Sequence, residues 1–267
     1  MSELMYLDLG VKRGFLKPPM KYPGSKNASL PELLGHLPYM TSFVDVFGGS
    51  ASVLLGRRPH GLEVYNDRFS GVVDFYRAVR DHLDLLVDRL EIITSSREEW
   101  ERCKATWDQP NPETPEGLVE RAARWYYTVQ NGFGGIDRGW ARSVNNRSRC
   151  AGIIASKLSM FRTIHERFRN VQIENLDWHL CMMDYDSDGT VFYLDPPYYQ
   201  QENHHYKHIV DHKSLLDTIF KVKGFVALSG YPTPLYEEFP WTARYEWQRP
   251  NVLQYKGTRT EVLWVKE

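Results

Sequence analysis

Short runs of strand-forming residues alternate with longer stretches of helical period in the first and last thirds of this chain. Phe43-Val44-Asp45-Val46-Phe47, Leu62-Glu63-Val64-Tyr65, Val171-Gln172-Ile173, Val191-Phe192-Tyr193-Leu194 and residues 224–229 predict strands, most of them apolar enough to be buried. Residues 245–249 and 261–265 predict closing strands. Helical spacing follows Ser29-Leu30-Pro31-Glu32, with Leu30, Leu33, Leu34 and Leu37 on one face and Pro31 in the first turn. It recurs at 51–55, 70–79, 116–130, 155–168 and 211–220. In the last of these, Leu215, Leu216 and Ile219 share a face.

The middle of the chain is patterned differently. Residues 80–170 are mostly helical, with few β-runs. They include a proline-rich linker, Asp108-Gln109-Pro110-Asn111-Pro112-Glu113-Thr114-Pro115, and a helix break at Asn131-Gly132-Phe133-Gly134-Gly135. Residues 138–150 read as loop or hairpin. The expectation is an α/β domain built from 1–79 and 171–267, with 80–170 inserted between them. The insert's aromatic and basic content makes it the place for partner contact. Trp125, Tyr126 and Tyr127 sit in an apolar helix pattern, which favours core over a base-stacking platform.

Candidate chemistry gathers where predicted strands end. Asp195-Pro196-Pro197-Tyr198 follows an apolar run, and its prolines fix φ and remove two backbone donors. Open α/β sheets place ligands at the carboxyl ends of strands. A carboxylate, outward carbonyls and a ring at one spot suit a planar amine; the bland reading is a rigid turn with a capping Asp. Phe47-Gly48-Gly49-Ser50 has the strand–glycine–helix layout that brings backbone close to a ligand. It is neither a dinucleotide fingerprint nor a P-loop. Asp67, after Asn66, suits ribose hydroxyls or a helix N-cap before Ser70.

Composition adds limits. The 267 residues suffice for one large α/β domain or one with an insert. No apolar run reaches membrane-helix length. The N-terminus lacks the pattern of a signal peptide. Cys103, Cys150 and Cys181 are scattered and odd in number, which predicts reduced thiols in a cytoplasmic protein. A net charge of −1 neither supports nor excludes nucleic acid, because distribution matters more than the sum. Arg138, Arg142, Arg147 and Arg149 cluster beside the single acid Asp137. His204, His205, His208 and His212 have partial metal-like spacing but lack the Glu of H-E-x-x-H, so a solvated or phosphate-facing loop is the reading and no metal is expected. No G-x-S-x-G elbow occurs.

Taken in order, these pieces resemble one family. Lys21-Tyr22-Pro23-Gly24-Ser25-Lys26, the Phe43–Ser50 segment, Tyr65-Asn66-Asp67, Asn131-Gly132-Phe133-Gly134-Gly135, Asp177-Trp178, Asp195-Pro196-Pro197-Tyr198 and Ser229-Gly230-Tyr231 together resemble the Dam-type DNA adenine-N6 methyltransferases. The resemblance spans residue 18 to the end. It implies a Rossmann-like sheet with helices on both faces and an inserted, mostly helical target-recognition subdomain. It also implies S-adenosylmethionine as donor and an adenine flipped out of duplex DNA as acceptor. By this resemblance Tyr22, Gly24 and Lys26 form the N-terminal cofactor loop. Asp45, Phe47, Gly48 and Gly49 face the methionine end, Asp67 the ribose and Asp177 the cofactor's adenine. Asp195, Pro196, Pro197 and Tyr198 are the catalytic set, and Asn131, Arg138, Arg142 and Arg147 face DNA. The loop departs from the family at Ser25, where a second glycine is usual, and at Pro23. Rival readings keep the chemistry and change the acceptor to cytosine N4, RNA adenine or a glutamine amide, or make the chain a silent DNA binder or an adaptor. No membrane and no obligate protein partner are implied; a restriction endonuclease, if there is one, is a separate chain.

Overall fold

The computed structural model describes residues 15–20, 22–132, 139–141, 149–199, 210–250 and 258–267, without the side chains of 149–156 and 250. In chain order the first elements are α1 (Leu30–Leu34), β1 (Ser42–Asp45), α2 (Ser52–Gly56), β2 (Leu62–Asn66) and α3 (Ser70–Asp81). Next come α4 (Leu83–Glu91), α5 (Arg97–Thr106), α6 (Pro115–Asn131) and α7 (Arg149–Phe168). The last are β3 (Val171–Glu174), α8 (Trp178–Asp184), β4 (Thr190–Leu194), α9 (His212–Ile219), β5 (Phe225–Gly230), α10 (Pro234–Glu237), β6 (Ala243–Pro250) and β7 (Thr258–Lys266). Two compact units divide the chain. One holds Met1–Leu30, Gly49–Pro59 and Phe69–Ile173, and the other holds Pro31–Gly48, His60–Arg68 and Glu174–Glu267.

The seven strands run in the order β3-β2-β1-β4-β5-β7-β6. This is the common doubly wound order 3-2-1-4-5-6 with β7 slotted in antiparallel between β5 and β6. β1 pairs in parallel with both β2 and β4, and β4 with β5. Every residue of β1 and β4 is buried. Strands covered on both faces need such near-continuous apolar sequence rather than alternation. Under this sheet Val44, Val46, Phe192, Leu194, Leu216, Leu228 and Trp264 form one core. The edge strand β6 exposes Arg244, Glu246 and Gln248, charged and polar groups that blunt an open edge.

The first unit is helical, with an aromatic centre. Phe75 stacks on Tyr126 at 4.9 Å and 9°, and Phe161 meets both edge-on. Tyr76 stacks on Phe168 at 4.6 Å. Trp125, Tyr126 and Tyr127 are all buried here, so this aromatic run is core. The proline-rich linker is an exposed connection, and Thr114 caps α6 by accepting from Gly117 N–H at 3.1 Å. A buried ion pair, Arg121 to Asp74 at 2.7 Å, ties α6 to α3. Cys103 and Cys181 are buried free thiols; burial pushes each up to about 12. Among the described residues no helix is long and apolar enough to cross a membrane.

Several boundaries differ from the sequence pattern. The helix at Leu30 stops at Leu34, so Leu37 packs from the following loop. β1 stops at Asp45 because Val46 and Phe47 already turn. Ala51 lies outside α2 as its N-cap, with φ 56° in the left-handed region. Asp211 is the N-cap of α9, not its first residue; its carboxylate accepts from Lys213 and Ser214 N–H. α7 begins earlier than the apolar pattern suggests, at Arg149.

Candidate active site

In the second unit, strand order reverses between β1 and β4. Ligands of open α/β sheets bind outside the carboxyl ends of strands at such a switch point. Parallel register sets Asp45 beside Tyr193 on one side and Tyr65 on the other. Val46 N–H donates to Tyr193 C=O at 3.0 Å, which carries the β1 ladder into its turn. Asp45 therefore lies level with Tyr193 near the end of β4, two residues before Asp195.

The loops after β1, β2 and β3 are fastened by one residue that the sequence reading passed over. Asn66 is buried and its amide donates to Val46 C=O at 2.8 Å. The same side chain accepts from Leu176 N–H at 2.8 Å and donates to Leu176 C=O at 3.3 Å. Asn175 then donates to Asp67 C=O at 2.8 Å. These bonds hold Asp67 and the approach to Asp177 in fixed positions. A buried amide bonding both ways across loops was visible in sequence only as an Asn before an Asp.

Asp67 is not the cap of α3. That N-cap is Phe69, with no side-chain bond. Asp177 does cap a helix: its carboxylate accepts from His179 N–H at 3.0 Å at the start of α8. Gly48 N–H donates to Asn66 C=O at 2.7 Å. A Cβ at Gly48 would collide with the Tyr65 ring and lie 3.0 Å from that carbonyl. The glycine is needed for this close approach of two loops. Phe47 packs on the sheet core.

The first unit carries the other predicted cofactor residues. Gly24 has φ 78° and Gly49 φ 47°, both left-handed. Lys26 is buried, and its carbonyl accepts from Ser29 N–H. Tyr22 lies 6.4 Å from Trp125, ring to ring. Ser25, the departure from the family pattern, has a defined role here: its hydroxyl is 2.8 Å from that of Ser52, which is 2.7 Å from Ser50 Oγ. Three hydroxyls thus tie the 22–26 loop to the segment after Gly49. Tyr76 adds a bond to Ser50 C=O at 2.6 Å.

Around the Asp-Pro-Pro-Tyr turn the second unit supplies a supporting layer. Tyr198 stacks on Tyr231 at 4.1 Å and 28°. His212 Nδ1 is 2.6 Å from Tyr236 Oη, and the ring also bonds the Pro197 backbone. Burial lowers the His212 pKa, against the Pro197 backbone bond and the Asp211 charge. Burial, then the nearby Asp195 carboxylate, pushes the Tyr236 hydroxyl up. His212 is the one member of the histidine run inside the described residues; His204, His205 and His208 lie outside them.

Asn131 is the last residue of α6 and 1% exposed. Its side-chain amide donates to Tyr127 C=O at 3.0 Å and its backbone carbonyl accepts from Ala141 N–H, so it holds the helix exit together. Arg138, Arg142 and Arg147 lie outside the described residues.

The doubly wound sheet thus carries Asp45 at the end of β1, Asp67 just past β2 and the Asp-Pro-Pro-Tyr turn just past β4, around its switch point. The sequence matches the model of the D12 class N6 adenine-specific DNA methyltransferase family over residues 22–223, and the chain belongs to that family. It is thus an adenine-specific DNA methyltransferase, which carries a methyl group from a donor to adenine N6 in DNA. No curated protein sequence matches the chain. Among solved structures, one from Pyrococcus horikoshii, provisionally described as an RNA methyltransferase, is similar with TM-score 0.38 and 12% identity, covering 98% of this chain and 96% of that one. A likeness that distant bears on neither the activity nor the substrate of this protein.

Proposed function

We propose that the enzyme takes its methyl group from S-adenosylmethionine and delivers it to an adenine flipped out of duplex DNA. The observation that carries this reading is the turn Asp195-Pro196-Pro197-Tyr198 directly after the buried strand β4, beside β1 at the switch point. The donor set also fits the cofactor. Asp45, Asp67 and Asp177 follow or end successive strands, and acceptor-only groups suit a cationic centre, ribose hydroxyls and an adenine amine. By the sequence resemblance, Tyr22, Gly24, Lys26, Asp45, Phe47, Gly48, Gly49, Asp67 and Asp177 are the residues assigned to it. When bound, S-adenosylmethionine supplies an electrophilic methyl group.

An adenine inside a duplex is out of reach, and flipping it costs a few kcal/mol. Stacking on Tyr198 returns ~1–3 kcal/mol of that. The N6 lone pair is delocalised into the ring and is a poor nucleophile. Asp195 and the Pro196 carbonyl accept its two N–H groups and draw the nitrogen toward tetrahedral geometry. Acceptors fixed in advance favour the transition state over the ground state. After transfer N6 sheds one proton, which Asp195 accepts.

Residues 80–170 are assigned to target recognition. Arg138, Arg142 and Arg147 would contact phosphates, which take most protein–DNA hydrogen bonds. Charge reversal at Arg138 and Arg142 should weaken DNA binding and flatten its salt dependence; unchanged binding would remove them from the interface. A DNA substrate goes with a cytoplasmic location.

The deciding experiment is transfer of labelled methyl from S-adenosylmethionine to duplex DNA, followed by nucleoside analysis. N6-methyladenine is expected. Transfer only to RNA or protein, or none at all, would overturn the reading.

A further inference from the structure

Two arginines face each other across the β6–β7 pair: Arg249 is in register with Arg259. Residues directly opposite on antiparallel strands share a face, and like charges there destabilise the pairing. Among the described residues only one of the two is neutralised. Arg249 bonds Glu261 Oε2 at 2.5 Å, and Glu261 is 1% exposed. Arg259 instead donates to Tyr231 Oη at 3.2 Å, with its guanidinium 5.5 Å from that ring. No carboxylate among the described residues pairs with Arg259.

This pair adjoins the Asp-Pro-Pro-Tyr turn. Tyr231 stacks on Tyr198. Arg249 is near enough to Tyr198 and Asp195 to interact with both electrostatically. Arg259 is therefore a half-buried cation held one ring away from Tyr198, and among the described residues four of its five donors are left over after the Tyr231 bond. We propose that Arg259, seated by Tyr231, grips a backbone phosphate next to the flipped adenine. A base stacked on Tyr198 brings its flanking phosphates into this neighbourhood, and the planar arginine fork matches phosphate oxygens. The inference rests on the flipped-adenine reading above. It adds a DNA contact on the closing hairpin, outside the 80–170 insert.

The test uses full-length enzyme and a synthetic duplex carrying the methylation site mapped with the wild-type protein. Arg259→Ala should raise the DNA dissociation constant roughly tenfold and lower the slope of log affinity against log salt by about one. Arg259→Lys should restore the slope, since it keeps the charge. Cofactor affinity and thermal midpoint report whether the variants are folded. Arg259→Ala with wild-type affinity and slope, in an enzyme that still methylates DNA, would overturn the clamp alone. A wild-type enzyme that methylates no DNA would instead overturn the reading beneath it.

Discussion

The Asn66 side chain and the Leu176 backbone exchange two hydrogen bonds, at 2.8 and 3.3 Å, across 110 residues of sequence. One amide thus replaces a missing rung of strand pairing beyond the ends of β2 and β3. It fixes the backbone from which Asp67 and Asp177 project. Asn66→Ala would leave the Leu176 and Val46 groups without these partners. The expected cost is about 1–3 kcal/mol of stability. A rise in the S-adenosylmethionine dissociation constant should exceed any change in DNA affinity. Chemical denaturation with cofactor titration checks both; a variant that loses DNA affinity alone would contradict the assignment.

Gly48 sits where two loops meet. Gly48→Ala puts a methyl group into the Tyr65 ring and against the Asn66 carbonyl. Overpacking of this kind costs about 1–3 kcal/mol. Because Tyr65 is wholly buried, the ring has little room to yield. The loop should shift, and cofactor affinity should fall with it. Thermal unfolding with and without S-adenosylmethionine measures the two effects; an unchanged melting temperature would show that the loop relaxes freely.

Asp195→Asn keeps size and removes the charge. The amide can still accept one hydrogen bond, but it cannot take a proton. Turnover should fall by about 10²–10³, the usual loss when a preorganised transition-state contact is removed. Cofactor affinity should stay within about twofold on the scale of binding changes. Single-turnover kinetics and equilibrium dialysis separate the two. Near-normal turnover would remove Asp195 from the chemistry.

His212 gives the protein a pH dependence of defined sign. Its pKa is lowered on folding by burial, from an ordinary value of 6.5. A depressed pKa means the neutral ring is the form that fits. The stability it contributes is present above 6.5 and is lost as pH falls toward the folded value. Asp211, the Pro197 carbonyl and Tyr236 are the groups around it, and the first two oppose the shift. Wild-type unfolding free energy should decline below about pH 6.5, and His212→Gln should decline less. Parallel slopes for the two proteins would show that another group controls this range.

The sequence by itself determined the order of buried strands, the helical middle and the motif that ends β4. Val191 to Leu194 could be read because a strand buried on both faces must be apolar throughout. Asp195-Pro196-Pro197-Tyr198 could be read because prolines restrict the backbone locally. Tertiary structure alone decided the supporting partners. Asn66 with Leu176, Ser25 with Ser52, His212 with Tyr236 and Arg249 with Glu261 are pairs whose members lie 12 to 110 residues apart. None leaves a local period or motif, because each depends on which loops the sheet order brings side by side. Asp67 shows the same limit in one residue. Its sequence context permitted a helix cap or a ligand contact, and only the bonds of Asn66 and Asn175 around it set its backbone apart from the cap of α3.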